Sequence, residues 1–127
     1  MKQPWAWAII HARKDVENRD WSTDYRGPLL IHAGKENHAY DKMPPRVRQP
    51  KLDDLTYSAI IGIVDLVGVV KEHSSKWRGE TQYAWVLANP RPLKKPIHAK
   101  GKLGLWKPEP QLTQKVRRQL SEPQDRD

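Results

Sequence analysis

The chain lacks cysteine and phenylalanine entirely, and its apolar runs are short. The absence of cysteine excludes a disulfide framework, a thiolate zinc site, a cysteine-ligated iron–sulfur cluster and a cysteine nucleophile. No run approaches the roughly 20 apolar residues that a bilayer span requires, and the first residues lack the apolar core of a signal peptide. We therefore expect a cytoplasmic protein without membrane association.

Motifs for nucleotide hydrolysis and metal binding are also missing. Gly34-Lys35 lacks the upstream glycine and the following Ser or Thr of a phosphate-binding loop. Ser74 and Ser75 lie outside any nucleophile-elbow pattern, and the five histidines do not have the spacing of metal ligands. The sequence predicts no nucleoside-triphosphatase chemistry, no serine-hydrolase motif, no metal site and no cofactor.

Positive charge and tryptophan are abundant instead. Among 127 residues, 23 Lys and Arg oppose 15 Asp and Glu, so the net charge is +8. Such a surface attracts nucleic acid, because each cation set on a phosphate releases counterions, although the same charge can serve solubility alone. Some of the six tryptophans can stack on bases. Three are interpreted as core residues: Trp7, Trp85 and Trp106.

The N-terminal half predicts one helix followed by short strands. Pro4 is a natural helix start, and a helix is predicted over residues 4–13 with one buried face. The residues of that face are Trp5, Ala8, Ile9 and Ala12. An extended stretch begins at Val16, and a turn precedes a strand over residues 29–33. Residues 35–56 carry three prolines and are predicted as a loop or broken helix.

The C-terminal half predicts three strands and a helix. The first strand covers residues 59–70, and its Gly62 and Gly68 predict bulges or bends. The second covers residues 83–88 and is expected to end at Asn89-Pro90-Arg91-Pro92, after which Lys94-Lys95-Pro96 is an extended basic segment. The remaining predictions are a short strand over 102–106, a helix from Glu109 with Leu112, Val116 and Leu120 in register, and a mobile tail over 122–127.

These elements predict an α+β domain built on a small, partly open mixed β-barrel, with an N-terminal helix and few flanking helices. Alternating βαβ units are absent, which excludes a doubly wound sheet. We expect the domain to cover residues 1–108 and a C-terminal helical segment with its tail to cover 109–127.

One segment concentrates chemistry at the junction of helix and strand. Residues 14–21 hold an amine, carboxylates, a guanidinium and an indole. In an extended chain Glu17, Arg19 and Trp21 share one face while Val16 points to the core. Two interpretations remain: a polar site aimed at one place, or an ordinary surface ion pair between Glu17 and Lys14 or Arg19.

The same residues resemble the ASCH domain family, whose signature is G-x-K-x-x-E-x-R. Its motifs are matched by Gln3–Ile10, Lys14–Arg19, Arg26–Pro28, Ile31–Lys35, Ala59–Gly62, Trp77, Tyr83–Leu87 and Gly104–Trp106. The resemblance spans about residues 3–106, with Ala12 in place of the signature glycine. It implies a PUA-like barrel and a cleft for RNA, a nucleoside or a nucleotide, lined by Lys14, Glu17 and Arg19.

Two functions from different classes follow. As a binding module, the cleft would add a stacking face from Trp21, Trp5 or Trp77. The positive electrostatic potential around the cleft would be extended by Lys35, Arg46, Arg48, Lys94 and Lys95. We also expect His32 to point into the cleft. A protein partner is a third possibility without specific support, and the sequence does not specify an oligomeric state.

As a hydrolase, the chain would resemble the branch of the family that cleaves N4-acetylcytidine with a Lys, a Thr and a Glu, or the members described as ribonucleases. Lys14 matches the lysine, but Glu17 stands where the threonine is expected. In a workable variant Glu17 would accept a proton from water while Lys14 or Arg19 stabilises the oxyanion. Asp65 and Glu72 are weak candidates for a second carboxylate, and Asp65 is interpreted first as a structural residue.

Overall fold

A computed structural model of the chain describes residues 1–35, 43–51, 54–99, 105–106 and 110–121, with backbone alone at 105–106, 110–113 and 121. The elements follow in the order α1 (Trp5–His11), β1 (Val16–Arg19), β2 (Gly27–Ala33), β3 (Ala59–Val70), β4 (Tyr83–His98), β5 (Leu105–Trp106) and α2 (Pro110–Ser121). The predicted tail over 122–127 and parts of the predicted loop over 35–56 lie outside the described residues.

Five strands form one sheet in the order β1-β4-β3-β2-β5. The α+β prediction is confirmed, and the short strands β1 and β5 leave the sheet partly open at its two edges. Every described pairing is antiparallel, whereas a mixed barrel was expected. No helix in the described parts of the chain is long and apolar enough to cross a membrane.

Helix α1 begins at Trp5, directly after Pro4, and ends at His11, within the predicted range of residues 4–13. The Gln3 side chain caps it: its Oε1 accepts a hydrogen bond from Trp7 N at 2.9 Å, and its Nε2 donates to Thr56 O at 2.8 Å. The expectation of one buried face was too narrow, because five consecutive residues from Ala6 to Ile10 are buried. The sheet covers one side of the helix, and Met43 and Leu55 from the following loop region belong to the core on the other.

The long strand β3 has the predicted limits and the predicted irregularities. Its pairing with β4 shifts register between Ile60 and Gly62 and again between Leu66 and Gly68. A third shift, between Ile63 and Asp65, lies opposite Asn89, whose φ of 56° is left-handed. The shifts next to Gly62 and Gly68 bend the sheet where bulges were expected, whereas the shift between Ile63 and Asp65 was not predicted.

Strand β4 corrects the prediction that Asn89-Pro90-Arg91-Pro92 ends a strand. It continues over 16 residues to His98 and includes the extended basic segment. Strand β1 pairs only with Tyr83–Val86, so the later part of β4 has no β1 partner along its outer edge. Prolines are tolerated on such an edge because no neighbouring strand there requires the N–H that proline lacks.

The two helices pack on opposite faces of the sheet. Ala6 and Ile9 of α1 share a core cluster with Ile31 and Val64, whereas Val116 of α2 shares one with Leu30, Ile60, Ile63 and Leu93. Neighbouring strand residues point to opposite faces, which explains this division. The predicted helical register holds at Val116, which is buried, and fails at Leu120, which is exposed.

Candidate functional site

A cleft of about 750 Å³ opens beside strand β1. Its walls come from the start of the chain and α1, from β1, and from the loop that precedes β4. The lining residues are Met1, Lys2, Trp5, Lys14, Glu17, Asn18, Arg19, Trp21, Pro44, Lys76, Trp77, Arg78, Gly79, Glu80 and Thr81. The volume is in the range of pockets that enclose a small organic ligand.

A left-handed residue at the end of α1 sets the direction of Lys14. Arg13 has φ of 58°, and Lys14 N donates to Ala8 O at 3.0 Å, so the chain turns back across the helix end. Ala12, which stands in place of the signature glycine, has φ of −124°. That backbone conformation is open to any residue, so alanine is accommodated without strain.

The side chains of Lys14, Glu17 and Arg19 meet in the cleft. Lys14 Nζ lies 3.0 Å from Glu17 Oε1, and Arg19 NH2 lies 3.2 Å from Glu17 Oε2. Lys14 Nζ also donates to Val16 O at 2.5 Å. Lys14 and Glu17 are only 4% and 7% exposed, so this is a buried cluster and not the ordinary surface ion pair considered as the alternative.

Aromatic rings flank this charged cluster. Trp5 and Trp77 meet edge to face, with ring centroids 6.4 Å apart, and Lys14 Nζ lies 5.9 Å from the Trp5 centroid. On the other side, the Arg19 guanidinium lies 5.1 Å from the Trp21 ring, and Trp21 remains 55% exposed. Trp77 is buried, so Trp21 has the most accessible ring of the three for stacking.

Most of the lining residues that sequence reasoning missed lie on β1 and on the loop over residues 76–81. Asn18 ties the two together: its Nδ2 donates to Trp77 O at 2.9 Å, and its Oδ1 accepts from Gly79 N at 2.8 Å and from Arg78 NH1 at 2.9 Å. Arg78 also donates to Thr81 Oγ1 at 2.8 Å. Apart from Trp77, no local sequence pattern indicated that this loop lines the cleft, because its position beside β1 depends on these long-range hydrogen bonds.

Comparison with known proteins bears on this arrangement. Residues 1–97 match the model of the ASCH domain. The chain belongs to the ASCH domain family. This confirms the resemblance drawn from the sequence motifs. The chain is also 22% identical to Activating signal cointegrator 1 of Homo sapiens and of Mus musculus, over 93% and 94% of its own length and 23% of theirs. It therefore spans about a quarter of the length of these relatives.

The ASCH match includes the whole of the described cleft and ends before α2. Six of the eight predicted ligand-binding residues line that cleft: Lys14, Glu17, Arg19, Trp21, Trp5 and Trp77. Lys35 is exposed and does not line the cleft. Within the described residues, no three His, Asp or Glu side chains come together as metal ligands.

His32 does not point into the cleft, so that expectation was wrong. It is 2% exposed on β2, and its Nε2 lies 2.6 Å from Ala99 O. Asp65 is structural, as interpreted: Arg91 NH2 lies 2.5 Å from its Oδ1, and Asn89 Nδ2 donates to its Oδ2 at 3.3 Å. Neither Asp65 nor Glu72 lines the cleft, and the described carboxylate that joins Glu17 there is Glu80.

Burial of His32 makes the stability of the fold depend on pH. Burial lowers the pKa of His32 below its usual 6.5, and the hydrogen bond to Ala99 O opposes this shift. The unfolded chain therefore takes up the proton at higher pH than the folded chain, and stability falls as the pH drops below about 6.5. We expect the urea midpoint to fall between pH 7.5 and 5.5, and to fall less in His32→Gln.

His98→Gln is the matched control, because His98 is exposed at the end of β4. This variant should keep the full pH dependence. An equal fall in the urea midpoint for His32→Gln and the unmodified protein would show that His32 does not contribute.

Proposed function

We propose that the cleft binds an unpaired nucleotide of RNA, or a free nucleoside or nucleotide. The observation that carries this proposal is the buried Lys14–Glu17–Arg19 cluster beside an exposed indole in a cleft of about 750 Å³. Single-stranded RNA is recognised by stacking of bases on aromatic rings combined with hydrogen bonds to the base edges and charge contacts to the backbone. The cleft offers groups for each of these contacts.

Each polar group has a corresponding contact on a nucleotide. A carboxylate oxygen accepts more than one hydrogen bond, so Glu17 can accept from an exocyclic amine while it keeps Lys14 and Arg19. The exposed Lys2 and Lys76 line the same cleft and carry the charge that a phosphate requires.

Binding is favoured over hydrolysis by the position of Glu17. A general base must be free to take a proton from the attacking water. Both oxygens of Glu17 already accept from cations, at 3.0 and 3.2 Å. A base amine can share such an oxygen, whereas general-base catalysis requires it to take a proton from water beside Lys14 or Arg19. If the cleft is hydrolytic, the unmodified protein will release more cytidine from N4-acetylcytidine, or more fragments from RNA, than the Glu17→Gln variant does.

Trp21 offers the sharpest test of binding. Loss of one base–aromatic stack costs about 2 kcal/mol, so Trp21→Ala should weaken binding of a short RNA about 30-fold. The substitution leaves the fold intact, because Trp85 Nε1 donates to the backbone oxygen of residue 21. Fluorescence anisotropy of labelled four-nucleotide RNAs at 50 and 200 mM salt gives the dissociation constants.

Tyr25→Ala is the matched control, since it removes an exposed aromatic ring that does not line the cleft. It should bind like the unmodified protein. Absence of binding at 50 mM salt, or equal affinity of the Trp21→Ala and Tyr25→Ala variants, would contradict the proposal.

A further inference from the structure

Helix α2 is fixed to the sheet on the side away from α1. Val116, which is 1% exposed, packs among Leu30, Ile63 and Leu93. The amide of Gln119 pairs with the backbone of β4: its Oε1 accepts from Lys95 N at 3.1 Å, and its Nε2 donates to Lys95 O at 2.8 Å. This side chain takes the place that a neighbouring strand would occupy along the outer edge of β4.

Exposed cations are concentrated on α2 and on the part of β4 that it contacts, and we call this region the α2–β4 basic face. Its exposed residues are Lys94, Lys95, His98, Lys115, Arg117 and Arg118. Neither residues 89–99 nor residues 110–121 contain an Asp or a Glu. Such a concentration of exposed cations attracts polyanions.

The α2–β4 basic face is distinct from the cleft. The cleft lies near Tyr83, which pairs with Arg19 of β1, and Lys95 lies twelve residues further along β4. At about 3.3 Å per residue, that distance is up to about 40 Å along the strand. The helix also lies outside the part of the chain that matches the ASCH family.

We propose that the α2–β4 basic face binds the phosphate backbone of a nucleic acid, as a second site in addition to the cleft. Phosphates favour this kind of surface because Arg and Lys contacts release counterions regardless of sequence. A membrane surface fits less well, since Leu120 is the one large apolar side chain that the described part of α2 exposes. The proposal does not depend on what the cleft binds.

The test measures how binding of a 20-nucleotide oligouridine to the full chain changes with salt. The variant Lys115→Gln/Arg117→Gln removes two cations of the α2–β4 basic face. Each lost phosphate contact lowers the slope of log K against log salt by about 0.7 for a single strand, so a fall of about 1.4 is expected. A four-nucleotide oligouridine, too short to reach both surfaces, should bind the variant and the unmodified protein equally at the cleft.

The matched control is Lys51→Gln/Lys71→Gln, which removes two exposed cations that neither line the cleft nor belong to the α2–β4 basic face, and it should leave the slope unchanged. An unchanged slope for Lys115→Gln/Arg117→Gln would overturn the proposal. The proposal would also be overturned if polyglutamate bound as tightly as the oligouridine and lost binding in the same variant, which would indicate an acidic protein partner. Tighter binding of vesicles containing 30% phosphatidylserine than of the oligouridine would overturn it as well. If the short RNA does not bind but the slope still falls by about 1.4, the cleft proposal fails and this one holds.

Discussion

Lys14→Met is expected to lower the free energy of unfolding by about 3 kcal/mol, because it removes one of the two cations that pair with the buried Glu17 carboxylate. The two residues are 4% and 7% exposed, and the ion pair between them measures 3.0 Å. Arg19, at 3.2 Å from the second oxygen of Glu17, retains part of the stabilisation. Urea unfolding followed by tryptophan fluorescence measures the loss.

The exposed pair Arg48–Asp54 is the matched control. Its side chains are 67% and 36% exposed, so Arg48→Met should cost far less than Lys14→Met, even though it also removes the guanidinium that lies 5.1 Å from the Trp7 ring. The double variant Lys14→Met/Glu17→Leu should recover much of the loss, because it removes both buried charges and leaves without its carboxylate only Arg19, whose side chain is 18% exposed. A double variant as unstable as Lys14→Met alone would show that packing, and not charge, explains the effect.

This prediction also affects how binding data are interpreted. A variant of Lys14 weakens the fold as well as the cleft, so loss of RNA binding in it does not by itself identify a contact. Trp21 is less affected by this ambiguity because the residue is 55% exposed, although its ring also contacts Trp85 and the Arg19 guanidinium. The cleft is therefore better tested through Trp21, and Lys14 is better treated as the residue that holds Glu17 in place.

Gly62→Ala is expected to destabilise the fold by about 3 kcal/mol, which corresponds to a fall in Tm of about 10 °C. A methyl group at this position would lie 2.6 Å from Ile10 Cδ1 and 2.8 Å from the backbone oxygen of Arg91. The Ile10 side chain can rotate, but the carbonyl of Arg91 belongs to β4 and moves only with the sheet. Thermal unfolding followed by circular dichroism measures the change.

Gly68→Ala provides the comparison within the same strand. Its added methyl group would lie 3.9 Å from Val86, which is ordinary contact, so stability should be unchanged or slightly higher. Similar losses in the two variants would mean that the conformational preference of glycine, and not the close approach of α1 and β4 at Gly62, controls this position.

The sequence by itself determined the elements whose signals are local. Pro4 and the apolar residues after it predict α1, and the β-branched residues of β3, with Gly62 and Gly68, predict a long bent strand. The Lys14–Glu17–Arg19 cluster was also predictable, since alternation along an extended chain sets Glu17 and Arg19 on one face. The family motifs, which cover most of the chain, pointed to the same fold.

Only the tertiary structure decided the rest. Pro90 and Pro92 indicate a strand end locally, but β4 continues because those residues lie on an edge that β1 does not reach. Residues 76–81 lie beside β1 through hydrogen bonds to Asn18, about sixty residues earlier in the chain. The sequence predicted that His32 points into the cleft, but in the fold it is buried against Ala99. In each case the outcome depends on a partner distant in sequence, whose position no local pattern carries.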